Sequence, residues 1–202
     1  MSTSAKTVRR AKPAEIPAIA RALARAFHDD PVSTWTCRAD GLRPVVLEQF
    51  FGARMRQLAH SGEIWTTEGL AGAAVWAAPG RWKTSLREDL ELARSALHPR
   101  LLLRAPIVAR GLLGIERRHP PQPPHWYLAI LGTEPAAQGQ GLGSAMLGPV
   151  LEECDRDGVA AYLESSTERN LAFYGRHGFR VMEVWRLPRG PRVSGMWRDP
   201  RG

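Results

Sequence analysis

Cysteine is scarce in this chain: of 202 residues only Cys37 and Cys154 carry a thiol, far apart and outside any C-x-x-C spacing. That excludes a disulfide framework, and with the six histidines scattered it excludes a zinc cluster, so no metal is expected. Cys154 falls on the apolar stripe of an expected helix and reads as a buried core thiol. Long apolar runs are missing too; nothing approaches the roughly 20 residues a membrane helix needs, and no membrane partner is expected. Met1 to Lys12 holds two Arg and two Lys with no apolar segment behind them, so it is not read as a secretory signal, and a cytoplasmic protein is expected. Basic blocks are also lacking. Lys and Arg number 28 against 20 acidic residues, a net charge of +8, yet they are spread along the chain and accompany no nucleic-acid motif. No nucleic-acid partner is expected. The basic balance suits a ligand that carries phosphates.

What is present is an ordinary globular composition, 44 % apolar and 24 % charged, with enough length for one well-filled domain over residues 1–202. Thr7 to Ala11 reads as a short strand. Pro13 then opens an amphipathic helix with Ile16, Ile19, Ala20, Leu23 and Phe27 at helical spacing. It breaks at His28-Asp29-Asp30-Pro31, before a loop holding Trp35. A second helix is expected from Leu42 to His60, then a hairpin of Glu63 to Thr67 and Leu70 to Ala78. Ser85 to Arg118 has helical character, broken at Pro99 and Pro106, and a Pro-rich connector follows. Trp126 to Leu131 is a nearly continuous apolar run, as in a strand covered on both faces. After it come a Gly-rich turn, a helix stopped by Gly158 and bent at Pro149, and a strand from Val159 to Leu163. Thr167 caps a short helix ended by Gly178, where His177 is placed as a C-terminal histidine favoured by the dipole. Phe179 to Trp185 and Val193 to Arg198 supply the last strands. The order argues for an α/β fold: a mixed, mostly antiparallel central sheet with flanking helices.

The Gly-rich turn carries the chemistry. Gln138-Gly139-Gln140-Gly141-Leu142-Gly143, followed by Ser144, lies between a buried strand and a helix start. There the first N–H groups lack internal partners and the macrodipole adds about half a positive charge. Glycines remove the Cβ atoms that would hold a phosphate away. A Walker loop would need Gly-Lys-Ser/Thr, and a dinucleotide fingerprint would need glycine where Met146 stands. Neither reading fits.

Gln138-x-x-Gly141-x-Gly143 resembles the pyrophosphate loop of the GCN5-related N-acetyltransferase superfamily. Leu131-Gly-Thr133-Glu-Pro135 before it is similar to that family's strand end. Asn170-Leu-Ala-Phe173-Tyr174 followed by Gly178-Phe179, N-x-x-x-Y-x-x-x-G-F, resembles a segment of that family. Within the superfamily, Gln138 to Leu147, Leu163 to Tyr174 and the tail Leu187 to Arg192 look most like puromycin N-acetyltransferase and its relatives. The first half matches only loosely, through its element order.

The resemblance implies an N-acetyltransferase that takes acetyl-CoA and a small-molecule amine, with antibiotic resistance as one setting; a protein amine acceptor and a non-catalytic acyl-CoA-binding module are the alternatives, and an exposed final strand could pair across a homodimer. The resemblance further implies that two splayed strands hold the pantetheine arm, with Leu131, Gly132 and Thr133 on one side and the far side near Glu164 and Ser165. Unpaired strand amides must find partners, and pantetheine amides supply them. Asn170 is implied to hydrogen-bond the cofactor, Tyr174 to act as general acid, and the Leu131 N–H to stabilise the oxyanion. Histone-type members carry a Glu at the position of Tyr127, so the base is open among Glu164, His125, Asp30 and a water relay. Phe27, Asp30 and Trp35, an acid among aromatics at a helix break, are candidates with Glu164 for the acceptor site.

Overall fold

The computed structural model describes residues 7–38, 41–83 and 104–202. In chain order they form β1 (Val8–Arg10), a 3-10 turn (Pro13–Glu15), α1 (Ile16–Ala26), α2 (Pro31–Thr36), α3 (Arg43–Leu58), β2 (Gly62–Thr67) and β3 (Gly72–Ala77). Then follow α4 (Ala105–Glu116), β4 (His125–Thr133), a second 3-10 turn (Pro135–Ala137), α5 (Leu142–Asp157), β5 (Ala160–Ser165), α6 (Glu168–Arg176), β6 (Arg180–Arg186) and β7 (Arg192–Arg198). The strands make one sheet in the order β1-β2-β3-β4-β5-β7-β6. Every neighbouring pair is antiparallel except β4 and β5. This is the mixed sheet with flanking helices that the sequence leads one to expect.

Two cores fix the layers. The stripe Ile16, Ile19, Ala20 and Leu23 of α1 packs with Leu47, Phe51, Met55 and Leu58 of α3 against Ile64, Ala73, Val75 and Ile130 on one face. On the other face Met146, Leu147, Val150 and Cys154 of α5 meet Ala74, Trp76, Trp126, Leu128, Ala161 and Leu163. Each fully buried Leu, Ile or Met contributes about 1.5–3 kcal/mol. β3 is buried along its whole length, and its alanines let helices close in from both sides. The Cys154 thiol is fully buried, and burial pushes its pKa up to about 12, so it is a packing group.

α5 contains Pro149 and runs to Asp157, stopping at Gly158 with φ 67, the helix stop read from the sequence. Two local expectations are revised. Pro106 lies in the first turn of α4, where its missing N–H is harmless, so it opens that helix and does not break one. The part of the expected helical stretch at residues 84–103 lies outside the described residues. Thr167 is the N-cap of α6, but its hydroxyl turns to Asp30 Oδ2 at 3.4 Å and leaves the helix amides alone.

Candidate active site at the fork of β4 and β5

β4 and β5 pair only from His125↔Ala160 to Leu128↔Leu163, although β4 runs on to Thr133 and β5 to Ser165. The cause sits on the opposite edge of β4. Trp76 of β3 faces Leu128 and Val75 faces Ile130, so Ala129 is one residue too many. Tyr127, Ala129 and Ile130 all pack toward α1 and α3, while Trp126, Leu128 and Leu131 pack toward α5. The in–out alternation is broken at Ala129–Ile130, which is a β-bulge, and a bulge bends its strand. β4 therefore veers from β5 where Leu163 gives way to Glu164.

The fork exposes backbone. Glu134 N–H donates to Ala71 O at 2.7 Å. Alternation then turns the peptide groups of Gly132 and Ile130 to β3, and those of Leu131 and Thr133 to the fork. Gly132, expected beside them as a backbone carrier, is thereby corrected: its peptide faces β3. Its missing side chain makes room for α1, since a Cβ there would lie 2.6 Å from the Phe27 ring. Thr133 O accepts from Gln138 Nε2 at 3.0 Å, tying the strand end to the Gly-rich turn.

In that turn Gly139 and Gly141 have φ of 77 and 81, and a Cβ on either would meet nothing within 4 Å. Gly141 is the N-cap of α5, and Ala145 N–H returns to Gly141 O at 3.1 Å. The amides of Leu142, Gly143 and Ser144 thus point off the helix end without a protein partner among the described residues. Gln140 Nε2 donates to Ala136 O at 3.4 Å, folding the turn on itself. Open space, bare amides and the dipole fit a diphosphate. Gly143 packs under Phe173, and Ser144 Oγ lies 2.9 Å from His177 Nε2. Burial, then Arg176, Arg201 and Arg198, lower the His177 pKa. His177 is the C-cap of α6, the helix-end position expected of it, and its ring also partners Ser144.

Tyr174 is 7 % exposed and packs in the α5 core with Phe179, while Asn170, one turn earlier, shares its face of α6. Burial first, and Asp30 second, raise the Tyr174 pKa. Asp30 itself is fully engaged. Its Oδ1 accepts from Val32 N–H at 2.8 Å and Ser33 N–H at 3.1 Å, capping α2, and its Oδ2 takes Ser166 Oγ at 2.7 Å. It anchors the β5–α6 turn and sits out of the contest for a base.

On the α1–α3 face, Glu164 follows the last residue of β5 that pairs with β4. The side chains of Glu164 and His119 are 10 % and 3 % exposed, with His119 Nδ1 3.5 Å from Glu164 Oε1. His119 Nε2 lies 3.0 Å from His125 Nε2, whose Nδ1 is 2.7 Å from Pro123 O. Trp82 stacks on His119 at 3.7 Å between ring centroids. Tyr127 and Tyr162 stand beside the carboxylate; burial, then the Glu164 charge, raise both phenols. His119 and Tyr162 escape sequence reasoning because His119 sits in the Pro-rich connector and Tyr162 inside an apolar strand. Phe27 stacks near Phe51, its centroid 5.0 Å away, at the mouth of the fork. Trp35 is 5 % exposed, with Nε1 donating to Pro188 O at 3.1 Å, and it props α2 against α4 and the β6–β7 turn. Among the described residues no helix is long and apolar enough to cross a membrane, and no group of three or more His, Cys, Asp or Glu could hold a metal ion.

Strands that part at a bulge beside a glycine cradle are features of an acyl-CoA-dependent transferase. The sequence profile of the acetyltransferase (GNAT) family matches residues 75–179; the chain belongs to this family and is an N-acetyltransferase. It is 28 % identical over 177 residues to an uncharacterised N-acetyltransferase of Schizosaccharomyces pombe, covering 79 % of this chain and 68 % of that protein. A Corynebacterium glutamicum structure described as histone acetyltransferase HPA2 and related acetyltransferase superposes with a TM-score of 0.68 at 26 % identity, covering 97 % of each chain. Arylalkylamine N-acetyltransferase 2 of Aedes aegypti shares the fold alone, with a TM-score of 0.58 at 11 % identity over 96 % of this chain and 99 % of that one.

Proposed function

We propose that this chain, as one domain over residues 1–202, moves the acetyl group of acetyl-CoA to the primary amine of a small molecule by direct transfer. The observation that carries the reading is that the β4–β5 fork opens straight into the glycine cradle. Acetyl-CoA supplies an activated acyl carbon. The protein's own groups then have distinct tasks. The amides of Gly139 to Ser144 hold the diphosphate, with Gln138 and Gln140 shaping the turn. Leu131 and Thr133 pair with the pantetheine amides as an added strand would, and Asn170 gives a further hydrogen bond. The Leu131 N–H stabilises developing negative charge on the acetyl oxygen. Tyr174 hands its proton to the departing sulfur, and its buried setting beside Asp30 keeps that proton in place until then. Phe27 and Glu164 border the acceptor, with Trp35 supporting the wall behind them.

A small acceptor is favoured because Glu164 is nearly buried, its side chain 10 % exposed among Tyr127, Tyr162 and His119, a setting closer to a compact amine than to a polypeptide. A protein amine is the second reading, suggested by the wording attached to the C. glutamicum neighbour; it needs an open acidic cleft. A role in antibiotic resistance, prompted by the puromycin N-acetyltransferase resemblance, belongs to the same proposal, and so do a cytoplasmic location and a homodimer. The test is release of free thiol from acetyl-CoA with a panel of amines that includes puromycin and lysine peptides, alongside calorimetry with CoA. Turnover with small amines supports the reading. Absence of any binding heat at millimolar CoA ends it.

A further inference from the structure

We propose that Glu164 and His119 form the base that takes the proton from the acceptor amine, and that His125 is the positioning residue that sets the His119 tautomer. This rests on the acetyl-transfer reading above. A carbonyl can only accept. Pro123 O is 2.7 Å from His125 Nδ1, so that nitrogen carries hydrogen. In a neutral imidazole the other nitrogen is then bare, and His125 Nε2 accepts across the 3.0 Å contact with His119 Nε2. His119 must therefore carry its hydrogen on Nε2, which leaves Nδ1 as a lone pair aimed at Glu164 Oε1, 3.5 Å away.

Two acceptors thus face each other: the Tyr127 and Tyr162 phenols hydrogen-bond the Glu164 carboxylate, yet its Oε1 is buried with no hydrogen-bond partner among the described residues. Such an arrangement costs free energy until a proton enters between the two atoms. One proton is missing, and the acceptor's ammonium brings it. His119 is walled by Tyr127 of β4, Tyr162 of β5 and Trp82 after β3, and His125 by Trp197 of β7; Arg54 of α3 acts electrostatically on the Tyr127 phenol and Glu183 of β6 on that of Tyr162. Burial lowers the His125 pKa, which keeps that ring neutral and the chain of donors directed one way.

The step balances. An N–H bond of the ammonium breaks as an N–H bond forms at His119 Nδ1, held by Glu164. The freed nitrogen lone pair makes the C–N bond as the C–S bond breaks. The sulfur takes the Tyr174 proton, and the second nitrogen proton restores the tyrosine through solvent.

Two measurements test this. Nitrogen-15 spectra of the histidine rings in the ligand-free protein at neutral pH are expected to show His125 protonated on Nδ1 and neutral His119 on Nε2, the latter becoming mixed in His125→Ala. A neutral His119 already protonated on Nδ1 would overturn the proposal. In kinetics, Glu164→Gln and His119→Gln are expected to lower kcat at least 100-fold with CoA binding heat unchanged; both retaining the wild-type rate would also overturn it. If wild type neither binds CoA nor turns over, the acetyl-transfer reading itself is what fails.

Discussion

Tyr174 and Glu164 reach the β4–β5 fork from opposite faces of the sheet, the phenol from the α5 side and the carboxylate from the α1–α3 side. Adjacent strand residues point to opposite faces, and Leu163 packs beside Tyr174 while Glu164 turns the other way. A proton donor and a proton acceptor are thereby separated by the sheet itself, which keeps them from neutralising each other.

Tyr174→Phe is expected to reduce kcat at least about 100-fold, the range of general acid catalysis, with CoA affinity unchanged by calorimetry. The ring remains in the α5 core, so folding should be preserved. Equal turnover in mutant and wild type would remove the acid role.

The same residue fixes an alkaline behaviour. Burial and the Asp30 charge raise its pKa above the ordinary 10, and the active form is the protonated one. Turnover should accordingly hold as pH climbs from about 8 to about 10 and fall only beyond, through the raised value. A pH–rate curve that drops within that interval through loss of one proton on the enzyme would contradict this.

Gly141→Ala places a Cβ at φ 81, which should destabilise the fold by about 1 kcal/mol and weaken CoA binding about tenfold by crowding the helix end. Gly114→Ala, in α4 away from the fork, serves as the control: helix propensity predicts a gain of up to about 1 kcal/mol. Thermal melts and calorimetry separate the two.

Arg198 is 2 % exposed, and its Nη2 reaches Asp155 Oδ2 at 2.6 Å. The Arg198 hydrogen bond holds the Asp155 carboxyl below its usual 3.8. A lowered folded pKa stabilises the protein above about pH 4 and loses that contribution as pH falls through the lower value. Asp155→Asn should cost roughly 3 kcal/mol at neutral pH, since it strands a buried cation, and the deficit should shrink in acid. Denaturant titrations at both pH values measure it.

Much of this was readable from residue order. The stripe in α1, the helix stop at Gly158 and the glycine cradle are local patterns that tertiary structure has no reason to override. The tyrosine and asparagine of α6 stood four apart for the same reason. The bulge was hidden, because an apolar run covered on both faces gives no alternation whose interruption could be noticed. His119 was hidden differently: its partners on β4 and β5 are brought to it by sheet pairing, and nothing nearby in the chain marks it. Asp30 and Trp35 drew attention as an acid and an aromatic at a break, but their hydrogen bonds to Ser166 and Pro188 span over a hundred residues and are invisible in one dimension.

The extra alanine at position 129 has a wider implication. Were it removed, Ile130 would take its place, the remaining side chains would keep their faces, and β4 could zip against β5 to its end. That shortened molecule would be the sounder scaffold and an inert one. The slot is thus a place where sheet pairing is given up so that a ligand's amides can take it over.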